Sequence, residues 1–360
     1  MTTTMRQTLL TAVAILATAL STQAQEVKNI IYLIGDGMGL ASVSMMQLEN
    51  RYEPTIFDKA ENIALQKSYS ADNRVTDSAA SGTALATGYK TNNTYLGVTP
   101  DGSAVESLME QAQSKNMATG VVVTTYLQHA TPAAFYAHIA SRHEYATISE
   151  QLLNSRLDVA IGGGMEFFEE RYGSKCKAKR AIADSGFEYV NSMRELSKED
   201  NATRTLALVA DKEVGADSGD YLAEATSKAL AILEERGGDN GFVLMVEGSL
   251  IDGMGHGNDA KAQQREMLSF MKAIEVAVDY AAEHPDTLVV VTADHSTGGL
   301  TIVSAEADFT LAEQGVEYRW TTNGHSGEMI PIYLYGAGAE RINGIMENSE
   351  LGTKLKDIIK

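Results

Sequence analysis

Hydrophobic positions along this chain gather into short continuous runs, each followed by a stretch with helical spacing. The runs are NIIYLIG (29–35), MATGVVVTT (117–125), LDVAIGG (157–163), TLALVA (205–210), GFVLMVEG (241–248), TLVVVTA (287–293) and MIPIYLYG (329–336). Several show no alternation of apolar with polar residues, the pattern of strands buried on both faces of a parallel sheet. Helical periodicity occupies 104–115, 145–154, 219–236 and 259–283. This order predicts an α/β fold: a doubly wound, mostly parallel central sheet flanked by helices on both faces. No repeat, low-complexity tract or Pro- or Ser-rich linker divides the chain, so 25–360 reads as one domain.

In such sheets, ligands sit at the carboxyl ends of the strands. Here those ends carry polar groups that no hydrophobic pattern requires. Asp36 follows the first run, Glu247 closes the fifth, and Asp294 and His295 close the sixth. Carboxylates and an imidazole from three strands meeting at one sheet edge suggest a metal site. The turn after the first run, IGDGMG, has glycines at 35, 37 and 39. A dinucleotide turn needs G-x-G-x-x-G, and Asp36 would repel a pyrophosphate there. The glycines therefore read as clearing space around a carboxylate.

Composition narrows the partners. The 360 residues are 44% hydrophobic with a net charge of −19, so nucleic acid is excluded as a partner. Residues 1–24 read as a secretory signal: Arg6, the apolar core LLTAVAILATAL, then Thr22 and Ala24 at the −3 and −1 positions of a cleavage site. A retained anchor is the alternative reading. Cleavage near Ala24 would give a periplasmic or secreted chain with no membrane span. Cys176 is the sole cysteine, so no internal disulfide can form, and its lysine-rich setting reads as a surface thiol.

Four further stretches carry candidate chemistry. In RVTDSAASGTALATGYKT (74–91), Ser78 opens a helix, where backbone N–H groups and the dipole favour an anion. It could be a nucleophile activated by a metal, or Asp77 and Ser78 could simply cap the helix. In LQHATPAAFYAHIASRHEY (127–145), His129 and Thr131 precede Pro132, and Arg142 could grip two phosphate oxygens. His138 and His143 read as structural or solvated on the Arg142 helix or its end, and His284 as closing a surface helix. In VEGSLIDGMGHGND (246–259), Asp252 and His256 share a side if the segment is helical. His325, in the glycine-rich TTNGHSGEMI (321–330), is either exposed or a ligand.

Taken together, IGDGMG, VTDSAAS-x-TA-x-x-TG-x-KT, ATPAAF-x-AH-x-x-SR, VEG-x-x-ID-x-x-x-H, VTADH and the late GHSGE resemble the alkaline phosphatase family, in the family's order, from about residue 29 to 330. The resemblance implies three metals. Asp252, His256 and His325 would bind one zinc. Asp36, Asp294 and His295 would bind a second, which also takes Ser78. Asp36, Thr131 and Glu247 would bind magnesium. Phosphate monoesters would be hydrolysed through a phosphoserine at Ser78, with Arg142 holding phosphate oxygens, in a chain that works as a homodimer.

The sequence departs from the family pattern in three places. His129 stands where many bacterial members carry Asp, so it could bind or tune the third metal, and zinc could replace magnesium. Gly253 stands where relatives often have a phosphate-contacting Lys or His. Only 29 residues separate His295 from His325, room for a small β-rich flap at about 297–324, including Trp320, rather than a large insertion. A phosphodiesterase or sulfatase of the same superfamily, or a non-catalytic metal- or phosphate-binding protein, are the competing readings.

Overall fold

The computed structural model describes residues 26–215, 219–304 and 316–359. The leader expected at 1–24 lies outside them, as do 305–315 of the expected flap. Among the described residues, no helix is long and apolar enough to cross a membrane.

Among the described residues, ten strands form one sheet: β1 Asn29–Gly35, β2 Asn62–Lys67, β3 Ala118–Tyr126, β4 Val159–Gly163, β5 Glu188–Val190, β6 Thr205–Ala210, β7 Phe242–Gly248, β8 Thr287–Thr292, β13 Ile330–Gly336 and β14 Gly344–Glu347. Their spatial order is β14-β2-β13-β8-β1-β7-β3-β4-β6-β5. Every pairing is parallel except those of β13 with β2 and β8. All seven predicted strands form, with ends shifted by no more than two residues.

The continuous apolar runs are explained by the two faces. In β1, Ile30, Tyr32 and Ile34 enter one core, while Ile31 and Leu33 enter the other. The first core is closed by helices Ser78–Thr87, Leu108–Ser114, Tyr145–Asn154 and Asn348–Ile358, through Leu85, Met109, Leu152 and Leu355. The second is closed by helices Leu40–Glu49, Tyr221–Gly237 and Ala260–Glu283, through Met45, Leu233 and Phe270. Because both faces are covered, polar side chains of the central strands can collect only at strand ends.

Outside the sheet, β10 Leu300–Ser304 and β11 Val316–Trp320 form an antiparallel hairpin within the segment expected as a flap. Two-residue strands β9 Ser296–Thr297 and β12 His325–Ser326 pair antiparallel and bring His325 beside the end of β8. One expectation fails. Arg142 is not on a helix, and neither are His138 and His143; the segment is turn and irregular backbone ahead of helix Tyr145–Asn154. Bonds to other segments hold it there: the Arg142 amide donates to the Thr94 carbonyl (2.7 Å), and the Ile139 and Leu96 backbones pair.

Helix Ser78–Thr87 is buried at every position. Its small residues let helix Asn348–Ile358 approach backbone to backbone, and a Cβ on Gly352 would lie 2.5 Å from the Ala84 carbonyl oxygen and 2.8 Å from that of Leu85. Gly253, also helical, faces open space. Gly352→Ala should therefore destabilise the protein by about 1–3 kcal/mol through overpacking. Gly253→Ala should stabilise it by about 0.5–1 kcal/mol through backbone entropy. Thermal unfolding of the two variants checks this, and shifts of the same sign would contradict it.

Candidate metal centre

Strands β8, β1, β7 and β3 are adjacent, so the residues that follow them converge. Asp36 follows β1, Glu247 lies in β7, Asp294 and His295 follow β8, and His129 and Thr131 follow β3. Asp36, Glu247, Asp294, His295 and Thr131 are fully buried. The IGDGMG turn makes the approach possible. Gly37 has φ +75°, and a Cβ there would sit 2.7 Å from Asp252 Cα. Its N–H donates to Asp294 Oδ1 (3.1 Å), which also accepts from the His295 amide (2.9 Å).

Among the described residues, three groups of side chains could each hold a metal ion: Asp252, His256 and His325; Asp36, Asp294 and His295; and Asp36, His129 and Glu247. Asp36 belongs to two of them. Thr131 Oγ1 lies 3.5 Å from Asp36 Oδ2, at the margin of the third. His129 enters that group directly, its Nδ1 3.9 Å from Asp36 Oδ2 and 3.8 Å from Glu247 Oε1. The donor sets fit cations. Asp36 Oδ1, both Glu247 oxygens, Asp294 Oδ2 and His129 Nδ1 are buried with no hydrogen-bond partner among the described residues. Polar atoms left so are costly unless a ligand satisfies them. Mixed nitrogen and oxygen donors suit zinc, and a carboxylate-rich set suits a harder ion.

Electrostatics follow from this crowding. Burial, then the charges of Asp294, Asp252 and Glu247, push the Asp36 carboxyl well above the usual carboxylate range. Burial and the Asp252 charge push Asp294 up to about 6. Asp252 goes the other way: burial works upward but is outweighed by the hydrogen bond with His256 and by the imidazoles of His295, His256 and His325. The bond to Asp252 raises His256 to about 9. His295 is driven well below its usual value by burial and by His325, whose ring stacks on it at 3.6 Å and 19°. A neutral His295 is the form that binds metals.

Ser78 opens its helix with Oγ 3.2 Å from His295 Nε2. Asp77 does cap that helix, accepting from the Ala80 amide (2.9 Å). It also takes the Arg142 guanidinium (NH1 to Oδ2, 3.1 Å), so capping and Arg142 placement share one residue. Of the remaining histidines, His138 bridges the Gly97 carbonyl and Glu110, and His284 lies at the end of helix Ala260–Glu283 against Glu234; both are away from the centre.

Sequence reasoning passed over Thr297. Its hydroxyl donates to Asp252 and lies 3.2 Å from His295 Nδ1, joining two of the groups. Its one proton goes to Asp252, so it accepts from Nδ1–H and leaves Nε2 of His295 as a free lone pair facing Ser78, Asp36 and Asp294. A threonine in STGG reads as a turn residue, and only the fold reveals the contact.

A family model described as alkaline phosphatase matches residues 27–317. Alkaline phosphatase 3 of Bacillus subtilis is 32% identical over 91% of this chain and 87% of its own length. The alkaline phosphatase of Escherichia coli is 30% identical over 91% and 85%. Among solved structures, the alkaline phosphatase of the Antarctic bacterium TAB5 superposes with a TM-score of 0.85 at 34% identity, covering 94% of this chain and 99% of that one. A variant of that enzyme in which a histidine is replaced by aspartate is described with Mg bound in its M3 site. On the family match, the relatives and the shared fold, this chain belongs to the alkaline phosphatase family and is a phosphomonoester hydrolase.

Proposed function

We propose that hydrolysis proceeds through a phosphoserine at Ser78, with three cations held by the three groups. Asp252, His256 and His325 would hold one zinc, and Asp36, Asp294 and His295 a second. Asp36, Glu247 and Thr131 would hold magnesium, or zinc where His129 coordinates directly. Bound there, the ions would supply Lewis acidity, activating the serine hydroxyl and a water and neutralising phosphoryl charge. The observation that carries the reading is Ser78 Oγ lying at a buried helix N-terminus beside His295 Nε2, within a cluster of unpartnered carboxylate oxygens.

In this reading the Ser78 oxygen attacks phosphorus, the bond to the departing alkoxide breaks, and a phosphoserine forms. A water then attacks from the vacated side, the Ser78–phosphorus bond breaks, and inorganic phosphate leaves. Arg142, fixed by Asp77, offers N–H groups to non-bridging oxygens throughout. The transition state is loose, so positioning and charge carry most of the catalysis. A monoester dianion rewards such a guanidinium more than a diester does, which favours monoesterase over phosphodiesterase or sulfatase activity. The leader-like sequence at 1–24 supports an exported enzyme cleaved near Ala24. We also infer a homodimer, with the segment 297–324 as a small flap, on the family resemblance.

Ser78→Ala should lower turnover of a chromogenic phosphate monoester by several orders of magnitude while leaving the bound metals in place. Unchanged turnover would contradict the covalent route. The wild type should cleave the monoester far faster than the matching diester or sulfate, and thorough chelation should abolish this. Zinc binding should also weaken as pH falls through about 6, where protonation of Asp294 competes with the ion. Calorimetry on chelated protein checks this, and equal affinity at pH 7.5 and pH 5 would contradict it.

A further inference from the structure

Arg142 has two partners at its tip. NH1 donates to Asp77, and NH2 lies 3.2 Å from His129 Nε2. Guanidinium nitrogens can only donate, so Nε2 accepts, and a neutral His129 carries its one proton on Nδ1. That nitrogen is the one facing Asp36 and Glu247. An ion bound at Nδ1 needs the lone pair there, which moves the ring proton to Nε2, where it meets the N–H of Arg142. One imidazole cannot serve both partners.

We propose that His129 is a positioning residue for Arg142, and that the ion in the third group decides whether it acts. This rests on the three-cation reading above. An ion that prefers oxygen and water, such as Mg2+, leaves the imidazole free and Arg142 fixed between Asp77 and His129. Each terminal nitrogen then keeps one further N–H, a matched pair for two phosphoryl oxygens. An ion that takes imidazole nitrogen, such as Zn2+, unhooks NH2 and leaves the guanidinium held by Asp77 alone. The third group thus sets oxyanion affinity by the kind of ion it holds, and not by charge, since both ions are dications.

The test uses protein with zinc in the first two groups and either Mg2+ or Zn2+ in the third, titrated calorimetrically with inorganic phosphate. The zinc form should bind phosphate roughly tenfold more weakly, the low end for losing one hydrogen bond to a charged group. In His129→Asp, whose carboxylate can face an ion and Arg142 together, the two forms should agree within about twofold. Imidazole 15N spectra should place the His129 proton on Nδ1 with Mg2+ and on Nε2 with Zn2+. Equal phosphate affinity in the two wild-type forms, or the proton on one nitrogen with both ions, overturns this inference alone. Failure of the third group to retain either ion overturns it together with the reading it rests on.

Discussion

Four carboxylates are gathered at one sheet edge, Asp36, Glu247 and Asp294 at the ends of central strands with no solvent exposure and Asp252 in the helix Leu250–His256 that follows β7. Like charges removed from water repel and lose hydration at once, and no sheet would collect them without a counterweight. The alkaline phosphatase relatives and the three candidate groups point to cations as that counterweight. The orphaned oxygens of Asp36, Glu247 and Asp294 point the same way: in the proposed reading the protein builds half of an electrostatic structure, and bound ions would complete it. In that reading the net charge of −19 is no obstacle to an anionic substrate, because ions and Arg142 would set the local charge at the centre.

The surrounding scaffold holds this arrangement rigid. Thr297 joins Asp252 to His295, the His295 and His325 rings stack, and Ser81 in the first turn of the serine helix donates to the Asp294 carbonyl (2.6 Å). Asn348, at the start of helix Asn348–Ile358, donates in turn to Ser81 Oγ (3.0 Å). The helix that Ser78 opens is thereby tied both to the turn after β8 and to the C-terminal helix. Reacting groups placed by buried hydrogen bonds need little rearrangement during reaction, which is where such enzymes gain most.

Much of this is legible in the sequence. Buried parallel strands have a strong signature, so β1, β7 and β8 and the acids at their ends could be read directly. Weaker elements could not. β2 (NIALQK) mixes polar with apolar residues near the sheet edge, β5 has three residues, and β14 begins at a glycine. Nothing in MIPIYLYG reveals that β13 runs antiparallel to its neighbours. Pro132, at a helix-start position, points to a helix towards Arg142, but long-range backbone bonds to Thr94 and Leu96 override it. The double duty of Asp77 and the linking role of Thr297 depend on contacts between residues far apart in the chain, which spacing cannot encode.

The central claim is that one carboxylate, Asp36, serves two ions at once. The most direct test is the number of ions bound per chain, measured by elemental analysis after dialysis, in the wild type and in Asp36→Asn. The account predicts three ions in the wild type and one in the variant, the survivor held by Asp252, His256 and His325. A variant that loses one ion or none would contradict it.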